Sequence, residues 1–155
     1  MQPIIYFAIL VPFLAIALAS LMQDMQPYII SEAELMHWLE TTDANLTFIG
    51  DPIPGINAPA GLTPRKAQAT RVVFCSVRNG NSCGGACSVY TGDNVCLLAP
   101  DTNCLSATGE VTFCAPNGCS CPCNLYSHCG TRMDNGFCWT PGTNAIFVGA
   151  LFSGL

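Results

Sequence analysis

The first third of the chain has two hydrophobic stretches of different character. From Ile4 to Leu18 the apolar residues run almost without a break, interrupted only by Pro12, and end at Ala17-Leu18-Ala19. A run of this length with an A-x-A-like end, soon followed by the polar Gln23 and Asp24, reads as a signal peptide over residues 1–19. It is short of the twenty or so apolar residues that a membrane anchor needs. Within "ISEAELMHWLETT" the apolar residues Leu35, Met36, Trp38 and Leu39 recur at helical spacing. Ser31 stands as N-cap with Glu34 three residues on, the arrangement of a capping box, so one short helix is expected here.

Beyond the helix the period changes. The stretch "GDPIPGINAPAGLTPRKAQATR" is rich in proline and glycine and reads as a linker. From Val72 onward, β-branched and aromatic residues in short runs predict strands. "RVVFCSV", "EVTFCA" and "NAIFVGALF" each read as one strand, and "CSVYTGDNVCLL" as a hairpin that turns at Gly-Asp. "TRMDNGFCWT" places Asn135-Gly136 between two short strands, a strong hairpin signal. Short helical turns fit "GGAC" and "CNLYSHC". The expected fold class is α+β: a small disulfide-rich domain with an antiparallel β-sheet flanked by short helices.

Cysteine usage sharpens this division. All eleven cysteines lie between Cys75 and Cys138, so the chain has two chemically different parts. Secretion makes disulfides their default fate, and cross-links compensate for the limited core of a small domain. Three parts are therefore expected. Residues 1–19 are a signal peptide, 20–71 a propeptide or an N-terminal arm, and 72–155 a disulfide-rich domain. The basic residues Arg65, Lys66 and Arg71 mark where a propeptide would be removed; the other reading is an arm that stays attached and packs its helix on the core. Asn45-Leu46-Thr47 is an N-glycosylation sequon, expected on an exposed loop.

Charge excludes one class of partner. The formal net charge is −5. From Val72 on, Arg78 and Arg132 face Asp93, Asp101, Glu110 and Asp134, and no basic patch exists to follow a phosphate backbone, so nucleic acid is not expected. The abundance of Asn, Ser, Thr and Gly suits a neutral polar ligand instead.

The chemistry that the cysteine cluster "GCSCPCN" could support is also limited. Structural zinc sites favour Cys-x2-Cys or Cys-x4-Cys pairs, whereas Cys119, Cys121 and Cys123 alternate and would point to opposite sides of an extended chain. Separate disulfide partners fit better than a metal, even with His128 and Cys129 nearby. The expectation is no metal and no cofactor. A thiol nucleophile needs a base in reach, and His128 is the one histidine after Val72. Asp93 and Glu110 are conceivable as a glycosidase pair, but four acids in so small a domain make an enzyme the weaker reading.

Binding remains. Carbohydrate sites combine an aromatic face, which packs on a pyranose, with amides and carboxylates that bond its hydroxyls. Two groups of turn residues qualify as glycan-binding candidates: Tyr90, Asp93 and Asn94, and Arg132, Asp134, Asn135 and Trp139. Core packing of Trp139 and plain turn chemistry at Asp134-Asn135-Gly136 are the ordinary explanations of the second group.

The segment from Val72 to Thr143, with "NCLSAT" and "CGTRMDNGFCWTPGT" as its most telling parts, resembles the small secreted cysteine-rich glycan-binding proteins of mushrooms. The preceding "ELMHWLETTDANLTFIGDPI" carries the likeness further toward the N-terminus. The resemblance implies a lectin-like module for N-acetylated or fucosylated oligosaccharides, with an antiparallel sheet flanked by helices and a tendency to dimerise. It also implies a small residue, in a pattern like Cys-Gly-Gly-Ser-Cys, where this chain has Cys121. On that basis ten cysteines would form five bridges: Cys75, Cys83, Cys87, Cys96, Cys104, Cys114, Cys119, Cys123, Cys129 and Cys138. Cys121 is then the free or intermolecular thiol, and a homodimer its consequence.

The expectation is thus a secreted, non-catalytic glycan-binding protein with an oligosaccharide or glycoconjugate partner and no membrane association after signal removal. The alternative is a secreted effector, toxin or protease-inhibitor-like module that uses its cross-linked loops to bind protein. A structural cell-wall protein is a further rival, although the absence of adjacent Cys-Cys doublets disfavours a hydrophobin.

Overall fold

A computed structural model describes residues 29–62 and 69–149. The segment read as a signal peptide and the Arg65-Lys66 pair lie outside the described residues. One helix, α1 (Glu32–Thr41), is followed by β1 (Asn45–Gly50), β2 (Thr70–Asn79), β3 (Ser82–Gly92), β4 (Val95–Ala107), β5 (Val111–Cys114), β6 (Cys123–Leu125) and β7 (Cys138–Val148). Short 3-10 turns stand at Tyr126–His128 and Asp134–Gly136. The seven strands form one sheet in the order β1-β3-β2-β4-β7-β5-β6.

The capping box at α1 forms fully. The Ser31 hydroxyl accepts from the Glu34 amide, and the Glu34 carboxylate accepts from the Ser31 amide at 3.0 Å. These bonds to Ser31 hold the Glu34 carboxyl below its ordinary range. The helix buries Leu35, Trp38 and Leu39, three residues on one face.

Strand β2 explains why that face is needed. Its run Val72-Val73-Phe74-Cys75 is buried throughout, so alternate side chains must find cover on both faces of the sheet. Val73 and Cys75 pack with Ile30, Leu35, Trp38, Leu39, Ile53 and Phe137 on the α1 side. Val72 and Phe74 pack on the other side with Tyr90, Leu97, Leu105, Val111, Tyr126, Ile146 and Val148. Strands β4 and β7 make this second side possible. The C-terminal part of β4 pairs with β2, while its N-terminal part pairs with the C-terminal part of β7, which in turn pairs with β5. Register shifts at Leu98/Thr102 and Thr102/Cys104 break β4 between these roles, as bulges do where a sheet bends.

Several expectations are corrected. The described residues are mostly β with one α-helix, and the sheet is mixed, because β1 runs parallel to β3. The segment after α1 is therefore not all loop and linker. Phe48 and Leu46 turn inward to the core while Asn45 and Thr47 stay exposed, so the sequon lies on an edge strand. The two strands of "CSVYTGDNVCLL" form, but they are not a hairpin, since β2 lies between them in the sheet. "GGAC" is strand, not helix: Gly85 and Ala86 oppose Ser76 in a bulge whose Gly85 has φ +81°. "TRMDNGFCWT" closes on one bridge, Arg132 with Cys138, around the 3-10 turn.

The boundary expected at residue 71/72 falls inside β2. Arg71 is a strand residue whose guanidinium pairs with Glu32 of α1, and its carbonyl accepts from the Thr108 amide at 2.9 Å. Residues 29–62 thus supply helix, strand and buried side chains to the same core as residues 72–149.

Five disulfides staple the sheet: Cys75–Cys87, Cys83–Cys104, Cys96–Cys119, Cys114–Cys123 and Cys129–Cys138. Cys75–Cys87 and Cys114–Cys123 join residues directly opposite in their strand pairs. Cys121 is a free, exposed thiol.

Trp38 joins arm to domain. Its ring meets the fully buried Phe137 edge to face at 5.0 Å between centroids. Trp38→Ala is expected to lower the unfolding free energy by about 3–5 kcal/mol, the usual loss for truncating a buried large aromatic. Guanidinium unfolding with disulfides intact measures it; a loss within 0.5 kcal/mol of zero would mean the arm is not part of the cooperative unit.

Candidate functional site

Strand alternation decides which aromatic residues can meet a ligand. On β7, Cys138 and Thr140 point inward, so Trp139 between them points out, with 40% of its surface exposed. Its backbone is held firmly. The Trp139 amide donates to the Thr131 carbonyl at 2.9 Å, its neighbour Cys138 is bridged to Cys129, and the residue facing it on β4, Cys104, is bridged to Cys83.

The tip of the β2–β3 hairpin completes this surface. A two-residue turn, Gly80-Asn81, connects the opposed Asn79 and Ser82, and Gly80 takes φ +62°, which tight hairpins require at that position. The guanidinium of Arg78 lies 4.5 Å from the centroid of the Trp139 ring, and its Nε donates to the Gly80 carbonyl at 2.8 Å. On the other side of the tip, the Asn81 amide donates to Asp134 Oδ1 at 2.6 Å, and the Asp134 amide donates to the Asn81 carbonyl at 2.9 Å. One hairpin end therefore touches Trp139 through Arg78 and Asp134 through Asn81, and Asn135 follows Asp134 in the same turn. Asn135 has φ +55° and is exposed, and its side-chain amide makes no hydrogen bond with the described residues.

Three of the four candidates in this group thus share a surface. The fourth does not belong there. Arg132 stacks on the buried ring of Tyr126 at 4.7 Å and donates to the Tyr126 carbonyl at 2.7 Å, so it braces the core beneath the turn. Arg78 and Asn81 take places that sequence reasoning did not assign. Their signal was present in "RNGN", a Gly-Asn turn between two strand-like runs.

The other candidate group sits at the opposite end of β3, roughly 30 Å away for a strand of this length. It lacks the required aromatic face. Tyr90 is in the core, only 9% exposed, because β3 turns it toward Val72 and Leu97. Asp93 Oδ1 accepts from the Thr70 amide at 3.3 Å, and Asn94 occupies the exposed left-handed position of the β3–β4 turn. Asp93 and Glu110 each cap a backbone amide, Glu110 that of Ser127 at 3.1 Å. Among the described residues no three His, Cys, Asp or Glu side chains converge as metal ligands, and no helix is long and apolar enough to cross a membrane.

No protein-family model matches the chain, and comparison with curated proteins and with solved structures finds no significant match. The assignment of the surface rests on its chemistry, and the burial of Tyr90 is what sets the two candidate groups apart. Burial, with Asp93 and Asp51 adding like charge, pushes the Tyr90 phenol above its ordinary value. The folded state then holds this proton more tightly than the unfolded chain, so stability is unaffected below about pH 10 and falls as pH rises beyond it. Ultraviolet titration of the native protein should show a late-ionising phenol that is missing in Tyr90→Phe. An ordinary tyrosine curve for both proteins would place the ring at the surface.

Proposed function

We propose that this chain is a secreted, non-catalytic glycan-binding protein whose site is the surface made by Trp139, Asn135, Asp134 and the β2–β3 hairpin tip. The observation that carries this reading is an exposed indole on a disulfide-stapled strand, met by Arg78 of a hairpin tip whose Asn81 holds the Asp134 carboxylate. A sugar ring packs its C–H face on an indole, and the adjacent Asn and Asp groups hydrogen-bond its hydroxyls. Little ordering cost is incurred, since Cys129–Cys138 anchors the strand of Trp139 and Cys83–Cys104 the strand it pairs with before any ligand arrives. Asn135 supplies both a donor and an acceptor from one amide.

Secretion is supported by the cysteine pattern, because five disulfides persist in oxidising compartments and are rare in the cytosol. The resemblance to mushroom glycan-binding proteins points to the same class of ligand. Cys121, unbridged and exposed, offers the place where two copies would be cross-linked.

A glycan array with the purified protein tests the reading. Binding to at least one oligosaccharide is expected, weakened about ten- to a hundredfold by Trp139→Ala and little changed by Asn94→Ala. An array with no hits at high micromolar protein would remove it. Non-reducing electrophoresis tests the dimer: a covalent dimer is expected for the native chain and only monomer for Cys121→Ser. A dimer that survives the substitution would assign the cross-link to another cysteine.

A further inference from the structure

Of the three arginines among the described residues, two are occupied by the fold. Arg71 is paired with Glu32, and Arg132 is stacked on Tyr126 and bonded to its carbonyl. Arg78 differs: it is exposed, and its Nε is spent on the Gly80 carbonyl. Its two terminal NH2 groups carry no hydrogen bond and no ion pair among the described residues. The turn acid that the hairpin tip touches, Asp134, takes the amide of Asn81. The guanidinium is therefore held in place at two points, by the Gly80 carbonyl and by the Trp139 ring, while its outer fork meets no partner among the described residues.

A planar, pre-oriented fork of N–H donors is the group best matched to a carboxylate, which it can engage through two parallel hydrogen bonds. Lying over an indole, it would meet a carboxylate on a sugar whose ring rests on the rest of that indole. We propose that Arg78 makes this site selective for an oligosaccharide that carries a carboxylate, as a uronic or sialic acid does, over its neutral counterpart. This rests on the glycan reading above and departs from the neutral ligand that composition alone favours. The formal net charge of −5 adds a second constraint. A polyanion would be repelled by the protein as a whole, so one acidic sugar rather than a charged polymer fits the site.

The test prints sialylated and uronic-acid-containing oligosaccharides on an array, each beside its methyl ester and together with neutral glycans. The ester keeps the sugar and removes the charge. The native protein should bind at least one acid about tenfold or more tightly than its ester, the scale of one charge-assisted hydrogen-bonded contact. Arg78→Gln should abolish that difference and Arg78→Lys should retain part of it, since an ammonium keeps the charge without the fork. Near-ultraviolet circular dichroism confirms that both variants keep the native aromatic environment. Equal binding of acid and ester, or a preference that survives Arg78→Gln, overturns the role of Arg78 and leaves the glycan reading standing. Failure to bind any glycan overturns both.

Discussion

Everything in this fold follows from a strand that is apolar on both faces. Val72 and Phe74 point one way from β2 and Val73 and Cys75 the other, and all four are buried. A strand of that kind must lie inside the molecule, with cover above and below. The chain supplies one cover as α1, with Leu35, Trp38 and Leu39, and the other by bending β4 and β7 so that the sheet folds over itself. The order of the sheet is consistent with this, with β2 in the interior between β3 and β4 and with β1 and β6 at the edges.

That constraint also fixes the candidate site. Because β2 is held on both faces, its exposed end is a rigid lever, and the hairpin tip from Arg78 to Asn81 projects from it in one place. The bridge Cys83–Cys104 ties the returning strand to β4, directly opposite Trp139. The tip can then touch the indole through Arg78 and the Asp134 turn through Asn81. Binding surfaces on small secreted proteins depend on such cross-links, since the core alone is too small to hold a loop still.

Local signals in the sequence were legible where chemistry is local. Ser31 and Glu34 mark the helix start because a capping box needs only those two residues, and "RVVFC" and "VTFC" read as strands from side-chain type alone. Long-range facts were not. Nothing in Asn45–Gly50 announces pairing with β3, because that parallel partner lies some forty residues downstream in the chain. Tyr90 and Trp139 look alike as candidates, and only the phase of each strand decides that one is inside and the other out. Arg132 and Arg78 were likewise indistinguishable by type, yet one is captured by Tyr126 and the other is left facing solvent. Packing of the arm's helix on the core was one of two readings the sequence left open: its lack of cysteine suggested a separate part, whereas its contribution to the core is by packing.

The two tryptophans provide the most direct check, since one is buried under α1 and the other stands at the proposed site. Proton–nitrogen correlation spectra recorded while an array-selected oligosaccharide is added would follow both indole N–H signals and the backbone amides. The account predicts that the Trp139 indole moves together with amides at 78–81 and 134–135, while the Trp38 indole stays fixed. Shifts centred on Asp93 and Asn94 with Trp139 unmoved would contradict it.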